Sequence, residues 1–197
     1  MASTTATPTR WAFFRQWLRN PLGVAAVSPS SPQLARQMIA ALPSNSKRLI
    51  ELGGGTGAIT EKLLRHGIAP ADLMVLELNE AMHQTLKQRF PEIRLHLANA
   101  ADVQRIARDS GFLDAGLADA VVSGLGILSM PKQLQRDIVG EAFACLRPDG
   151  RFVQFTYGPA SPVAREVLDE LNLSSRRVSF TWWNVPPATV YVYERQR

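Results

Sequence analysis

Cysteine is almost absent from this chain, and histidine is scarce. The 197 residues contain one cysteine, Cys145, so no internal disulfide can form. Its neighbours are apolar and helix-forming, which predicts a buried, unreactive thiol and a reducing compartment, the cytoplasm. The three histidines, His66, His83 and His96, are scattered, and none lies at ligand spacing from cysteine or from paired acids. The sequence therefore predicts no metal site.

Long apolar runs are also missing. No segment approaches the roughly 20 apolar residues of a membrane span. The N-terminus has no continuous apolar core followed by a small-residue cleavage site, so no secretory signal is predicted. With 46% apolar and 20% charged residues, the composition is that of a soluble globular chain. The length suits one α/β domain.

Acidic residues are absent from the first 50 positions, which carry six basic residues. The rest of the chain is nearly balanced, with 16 basic and 17 acidic residues. The excess positive charge therefore belongs to one end of the chain. We expect that end to meet an anionic partner, either a lipid surface or a nucleic acid.

The same end contains an aromatic and basic segment. Residues 10–19 include four aromatic residues and three arginines. At 100° per residue, the aromatic side chains fall on one side of a helix and the arginines on the other. This pattern is typical of a helix lying in the membrane interface; the alternative is a helix whose apolar face packs on its own domain or on a partner. The predicted membrane-binding residues are Trp11, Phe14, Arg15, Trp17, Leu18 and Arg19.

A glycine-rich segment is the strongest functional pattern in the chain. An apolar run from Leu49 ends at Glu51, and glycine occupies four of the five positions 53–57. A helical pattern follows over 58–64, so the sequence predicts a strand, a tight turn and a helix. Glycine permits positive φ and close approach of a ligand to the backbone. A helix start offers free N–H groups and partial positive charge. The segment therefore fits a nucleotide-like ligand.

The spacing of these glycines narrows the ligand. A dinucleotide site has the pattern G-x-G-x-x-G. Here Gly53, Gly55 and Gly57 follow Glu51 as E-x-G-x-G-x-G. That spacing resembles the first motif of the class I S-adenosylmethionine-dependent methyltransferases. The resemblance implies that S-adenosylmethionine is the cofactor and that Glu51, the three glycines and Thr56 bind it.

After the turn, strand and helix patterns alternate, as a doubly wound fold requires. The predicted strands after the first are 73–77, 93–97, 119–123, 151–159, 177–183 and 189–193. The predicted helices are 80–90, 103–108, 131–146 and 163–172, with a turn at 148–150. We predict a Rossmann-like class I methyltransferase fold: a mostly parallel seven-stranded sheet, a C-terminal antiparallel hairpin and helices on both faces. Residues 44–197 would form this domain, and residues 1–43 an N-terminal region with a tail and the amphipathic helix.

Polar residues follow the predicted strands at their carboxyl ends, where open parallel sheets bind ligands. Glu77 can accept hydrogen bonds from both ribose hydroxyls. In many methyltransferases an aspartate after the third strand takes the adenine amino group. Asn99 occupies this position. Its amide oxygen can accept a hydrogen bond from the adenine amino group, or its amide nitrogen can donate one to a ring nitrogen. Leu78, Ala100 and Ser123 complete the predicted cofactor site.

The fifth strand carries polar side chains among apolar ones. Gln154 and Thr156 lie in mid-strand and need hydrogen-bond partners if they are buried. Tyr157 follows at the strand exit, on the ligand side, where its hydroxyl can orient an amine.

Five segments of the chain point to one family. They are Ser30-Ser31, residues 51–57, Ser123-Gly124-Leu125, Gln154-Phe155-Thr156-Tyr157-Gly158-Pro159 and Asn184-Val185-Pro186-Pro187-Ala188-Thr189-Val190-Tyr191. Together they resemble the bacterial peripheral-membrane phospholipid N-methyltransferases, which make phosphatidylcholine from phosphatidylethanolamine. The resemblance runs from about Trp11 to Tyr193. It departs from the family at Gly126 (commonly proline), Asn99 (aspartate) and Trp183 (arginine).

The resemblance implies S-adenosylmethionine-dependent methylation of the phosphatidylethanolamine amine at the inner leaflet of the cytoplasmic membrane, to which the protein would bind peripherally. It places Ser30 and Ser31 in the cofactor site. Tyr157 is the predicted catalytic residue. Tyr157, Trp183, Asn184 and Tyr191 are predicted to bind substrate, since aromatic faces attract methylated ammonium groups. For the tryptophan, packing within a strand is the alternative.

Two other functions remain open from the sequence. The fold and the basic charge also suit an rRNA adenine N6-dimethyltransferase. However, residues 123–126 lack the aromatic side chain that stacks on a flipped base, so nucleic acid is not the expected partner. A non-catalytic lipid-binding module is the second alternative.

Overall fold

The computed structural model describes residues 32–157, 160–181 and 187–196. The helices are α1 (Pro32–Ala40), α2 (Ala58–Arg65), α3 (Glu80–Arg89), α4 (Val103–Asp109), α5 (Lys132–Ala144) and α6 (Arg165–Glu170). The strands are β1 (Leu49–Leu52), β2 (Leu73–Glu77), β3 (Arg94–Leu97), β4 (Ala118–Ser123), β5 (Leu146–Thr156), β6 (Leu173–Thr181) and β7 (Ala188–Arg195). Short 3₁₀ turns lie at Pro70–Asp72, Ala100–Asp102, Phe112–Ala115 and Ile127–Ser129.

The strands form one seven-stranded sheet in the order β3-β2-β1-β4-β5-β7-β6. The first five strands run parallel, and β7 lies antiparallel between β5 and β6. The predicted fold class is therefore confirmed. Because the order reverses between β1 and β4, the carboxyl ends of these strands open a crevice for ligands.

Two apolar clusters cover the two faces of the sheet. On face A, strand residues such as Leu49 and Val75 pack against Leu34 of α1 and Leu63 of α2. On face B, residues such as Ile50 and Val121 pack against α4, α5 and α6. The strands β2 and β4 are buried along their whole length, as expected of strands covered on both faces.

Helix α1 belongs to the packed domain even though it lies before residue 43. Leu34 and Met38 are fully buried in the face A cluster, and Gln37 Oε1 accepts a hydrogen bond from Ser179 Oγ of β6 at 2.9 Å. The division into residues 1–43 and 44–197 stays a prediction. Its N-terminal part, with the predicted amphipathic helix, lies outside the described residues.

The predicted turn at 148–150 is wrong in its bounds, because these residues lie within β5. The register of β5 against β4 explains the turn-like sequence at these positions: Ala118 pairs with Leu146, whereas Ala120 pairs with Arg151. The segment therefore bulges relative to β4. Arg195 of β7 holds it by donating to the carbonyl oxygens of Leu146 and Arg147 at 3.1 and 2.8 Å.

Cys145 is fully buried, as predicted. Burial raises the pKa of its thiol to about 12, so the thiol stays protonated and unreactive at neutral pH.

Candidate functional site

The turn after β1 is built on three glycines with positive φ. Gly53, Gly55 and Gly57 have φ of 75°, 53° and 81°, a region that other residues enter only with strain. A Cβ at Gly57 would lie 2.5 Å from Phe90, and one at Gly53 would lie 2.7 Å from Leu125. At Gly55 a Cβ would meet no heavy atom closer than 4.0 Å. The turn is thus packed against the protein at its two ends and open at Gly55, where a ligand can approach the backbone.

Glu77 ties this turn to the end of β2. Glu77 is 7% exposed, and its carboxylate accepts hydrogen bonds from the N–H groups of Gly55 and Asn79, each at 2.8 Å. Each carboxylate oxygen has a further acceptor site, so the group can still receive the two hydroxyls of a ribose. The contact with Gly55 places the acid beside the open part of the turn, as the predicted ribose role requires.

Glu51 lies beneath the turn on face A and is fully buried. Its Oε2 accepts a hydrogen bond from Thr60 Oγ1 of α2 at 2.7 Å, and its Oε1 has no partner in the described part of the chain. Burial raises the pKa of this carboxyl to about 8, and the negative charge of Glu77 adds to the rise. Thr60 could not be identified from the sequence, where it is one polar residue on the buried side of the helix that follows the turn.

The adenine end of the predicted site lies where β3 leads into a 3₁₀ turn. Asn99 Oδ1 accepts a hydrogen bond from the N–H of Ala101 at 3.0 Å and so caps that turn. Its NH₂ group is therefore the part suited to bind an adenine ring nitrogen. Leu78 is 64% exposed beside Glu77 and offers an apolar surface for a base. Ala100 is buried and supports the turn from below.

The exits of β4 and β1 touch each other. The N–H of Gly124 donates to the carbonyl oxygen of Leu52 at 2.8 Å, and a Cβ at Gly124 would lie 2.8 Å from the carbonyl oxygen of Gly53. Ser123 is fully buried, and its Oγ accepts from the N–H of Leu125 at 3.3 Å. Ser123 therefore acts on the shape of the loop that borders the cofactor turn.

The predicted substrate residues fall on different faces of the sheet. Tyr157 directly follows β5, is 5% exposed, and packs in the face A cluster with its ring edge-on to Phe155 at 5.4 Å. Tyr191 of β7 is buried in the face B cluster, with its ring stacked on Tyr193 at 6.4 Å. The structure does not bring the two tyrosines together. Ser30, Ser31, Trp183 and Asn184 lie outside the described residues, as do all six predicted membrane-binding residues.

Gln135 of α5 was not identified from the sequence, where it reads as one more polar helix residue. It is buried, donates to the carbonyl oxygens of Ile127 and Met130 at 3.1 and 3.0 Å, and accepts from the N–H of Ala164 at 2.8 Å. This amide joins the loop after β4 to the segment before α6. Both border the carboxyl ends of β4 and β5.

Within the described residues, no group of three or more His, Cys, Asp or Glu side chains could hold a metal ion.

No helix of the described ranges is both long and apolar enough to cross a bilayer.

Comparison with known proteins gives a family match in sequence. A family model described as a methyltransferase domain matches residues 49–150, which run from β1 into β5. Over 185 residues the chain is 31% identical to the ornithine lipid N-methyltransferase of Singulisphaera acidiphila, covering 91% of this chain and 92% of that protein.

Solved structures give a match in fold. The N-methyltransferase NodS of Bradyrhizobium japonicum, in complex with S-adenosyl-L-homocysteine, is similar with a TM-score of 0.63 at 18% identity, over 97% of this chain and 100% of that one. A TehB-like S-adenosylmethionine-dependent methyltransferase of Corynebacterium glutamicum has a TM-score of 0.61 at 19% identity, over 95% and 98% of the two chains. At these identities the similarity concerns the fold alone.

Proposed function

Because this chain belongs to the family of S-adenosylmethionine-dependent methyltransferases, we propose that it methylates the amine of a membrane lipid. The family and the prediction of S-adenosylmethionine as cofactor are confirmed by the match over residues 49–150 and by the shared fold. The observation that carries the proposal is the 31% identity to an ornithine lipid N-methyltransferase over nearly the whole of both chains.

The described residues fit the cofactor. The open backbone at Gly55 would let the cofactor approach the turn, and the Glu77 carboxylate would bind its ribose. The exposed Leu78 and the Asn99 amide would hold its adenine. When bound, S-adenosylmethionine supplies an electrophilic methyl group on a positively charged sulfur. The chain itself contributes alignment of the acceptor and removal of water, which are the main requirements of an in-line displacement.

The finer proposal concerns the lipid. Segments along the chain resemble the phospholipid N-methyltransferases, and we propose phosphatidylethanolamine as the acceptor, with successive methylation towards phosphatidylcholine. Phosphatidylethanolamine and ornithine lipid both present a primary amine on a short alkyl chain. A site that recognises this amine could serve either lipid, so the two must be compared in one experiment.

The test uses the full chain with radiolabelled S-adenosylmethionine and three acceptors: vesicles with phosphatidylethanolamine, vesicles with ornithine lipid, and ribosomal RNA. We expect label in the mono-, di- and trimethylated headgroups of phosphatidylethanolamine. Label only in ornithine lipid would keep a lipid methyltransferase but replace its substrate. Label only in RNA, or none in any lipid, would overturn the proposal.

We further propose that the protein acts at the inner leaflet of the cytoplasmic membrane, which residues 10–20 contact. The acid-free first 50 positions and the alternation of aromatic and basic residues support this. Deletion of residues 1–20 should abolish sedimentation with anionic vesicles at low salt.

A charge-matched control separates the contribution of the predicted helix from that of the net positive charge of the chain. Replacing Arg10, Arg15 and Arg19 by glutamine should reduce sedimentation strongly, whereas replacing the exposed residues Arg65, Lys87 and Arg108 by glutamine should change it little. Equal losses in the two variants would show that net charge, and not the helix, binds the membrane.

A further inference from the structure

Two side chains of β5 carry buried oxygen atoms without partners. Gln154 is fully buried and Thr156 is 3% exposed. Gln154 Oε1 and Thr156 Oγ1 have no hydrogen-bond partner in the described part of the chain. Since they are two residues apart on a strand, both side chains project from face B. Buried polar atoms are nearly always paired, so two unpaired oxygens at adjacent positions on this face indicate a partner that the described part of the chain does not supply.

The orientation of the Gln154 amide is fixed by its own contacts. Its Nε2 donates to the carbonyl oxygens of Leu125 and Phe155 at 2.8 and 2.6 Å. A flipped amide would place Oε1 against those two oxygens, which would repel it. The unpaired atom is therefore an oxygen, which only accepts hydrogen bonds. Its missing partner is a donor.

This pair of oxygens lies next to the cofactor turn. In the sheet register Gln154 is opposite Ser123 of β4 on one side and Tyr191 of β7 on the other. The carbonyl oxygen that Gln154 holds belongs to Leu125, whose side chain occupies the space in front of Gly53. Thr156 is the last residue of β5, nearer still to the carboxyl edge of the sheet.

We propose that Gln154 Oε1 and Thr156 Oγ1 accept hydrogen bonds from the N–H groups of the acceptor amine. This inference rests on the proposed amine methylation. A neutral primary amine has two N–H groups and one lone pair, so two acceptors on one side of it direct the lone pair away from them. That lone pair forms the new N–C bond as the C–S bond breaks with its electrons going to sulfur, and the nitrogen then releases a proton to water.

The arrangement predicts a dependence on the degree of methylation. A neutral primary amine uses both oxygens, a monomethylated amine has one N–H left, and a dimethylated amine has none. Removal of one acceptor should therefore harm the first methyl transfer most and the third least. A purely structural role for these side chains would affect the three steps alike.

Thr156→Val is the sharpest variant, because it keeps the side-chain shape and removes a hydroxyl that has no partner among the described residues. We expect the KM for the unmethylated lipid to rise about tenfold, the KM for the dimethylated lipid to stay within about twofold, and S-adenosylmethionine affinity by calorimetry to be unchanged. Binding of unmethylated lysophosphatidylethanolamine or lyso-ornithine lipid micelles without cofactor should weaken in parallel. Thr85→Val, at an exposed site on α3, is the matched control and should behave as wild type.

The outcomes separate this inference from the proposed function. If the wild-type protein methylates lipid and Thr156→Val does so with the same KM at every methylation state, the inference is overturned while the function stands. An equal loss at all three steps would also overturn it. If the wild-type protein neither methylates lipid nor binds either micelle, the proposed function and the inference fall together.

Discussion

The two halves of the sheet, β1 to β4 and β5 to β7, differ in whether the polar side chains at their carboxyl edge are hydrogen-bonded. At the carboxyl edge of β1 to β4, the oxygens of Glu77, Asn99 and Ser123 accept hydrogen bonds from backbone N–H groups of the loops at that edge. At the same edge of β5, Gln154 Oε1 and Thr156 Oγ1 have no partner in the described residues. These polar groups of the first half are already paired without a ligand, whereas the two oxygens of β5 are the acceptors that we propose the amine completes.

This contrast agrees with the difference between the cofactor, which all members of the family share, and the acceptor, which they do not. The family model spans residues 49–150, which include the whole first half and end within β5, before Gln154 and Thr156. A common cofactor can be served by one preorganised loop set, since fixed hydrogen bonds avoid reorganisation on binding. The acceptor differs between methyltransferases, so we expect its contacts in the part of the chain that the family model does not cover.

Glu51 is the exception in the first half, because its Oε1 has no hydrogen-bond partner among the described residues. Its ionisation gives the largest expected effect, a change in stability with pH. In the folded protein its pKa is about 8, whereas in the unfolded chain it titrates near 4.5. The folded state holds more protons between these values, so the free energy of unfolding falls as the pH rises from about 5 to 8, by about 3 kcal/mol. Glu51→Gln cannot ionise and should lack this slope.

Urea unfolding of the cofactor-free protein across this pH range measures the difference between wild type and Glu51→Gln. Glu61→Gln, at a half-buried acid on α2 that pairs with Arg65, should keep the wild-type slope. If the curves of wild type and Glu51→Gln run parallel, the carboxyl is ionised in the folded state and the account of its burial is wrong.

Glu77→Ala should cost S-adenosylmethionine affinity about 100-fold, because charged hydrogen bonds contribute about 1.5–3 kcal/mol each. The substitution removes the carboxylate that faces the ribose position and also frees the N–H of Gly55. Titration calorimetry measures the effect. Glu80→Ala, at an exposed acid three residues further on, is the control. Similar affinities for the two variants would show that Glu77 only supports the loop.

The turn after β1 and the strand β2 could be predicted well from the sequence because their determinants are local. Glycine spacing gave the turn, and Glu77 was placed at the end of β2 because a buried apolar run stops there. The predicted bounds of β2 agree with the structure. A local pattern does not show how a helix packs against its neighbours, so Thr60 and Gln135 were missed although each holds a site element in place.

The acceptor half was predicted less completely, for the same physical reason. The sequence indicated that Gln154 and Thr156 would need partners, but not that one oxygen of each would lack one. It also grouped Tyr157 with Tyr191, which the structure places on opposite faces. Faces depend on register, and the bulge in β5 and the insertion of β7 between β5 and β6 set the register here.

Gly55→Ala tests whether the open part of the turn is a ligand surface. A methyl group there would enter space where the nearest protein atom is 4.0 Å away, so it should obstruct the cofactor and weaken its binding about tenfold. Gly67→Ala is the matched control, since Gly67 also has positive φ, 101°, and open space around it. Both variants should lose about 1 kcal/mol of stability. Only Gly55→Ala should lose affinity, and equal affinities would place the cofactor elsewhere.

Tyr157→Phe should have the smallest effect, and it decides which face of the sheet the amine approaches. Loss of one neutral hydrogen bond to the amine predicts about a fivefold fall in kcat, with S-adenosylmethionine affinity kept. Tyr193→Phe is the control: its hydroxyl lies 2.9 Å from Ser161 Oγ on face B, so the variant should lose stability but not turnover. If Tyr157→Phe lowers kcat/KM for the unmethylated lipid more than Thr156→Val does, the amine is oriented from face A, and the unpaired oxygens of β5 serve another donor. If Tyr157→Phe is fully active, its hydroxyl has no part in the reaction, and face B alone orients the acceptor.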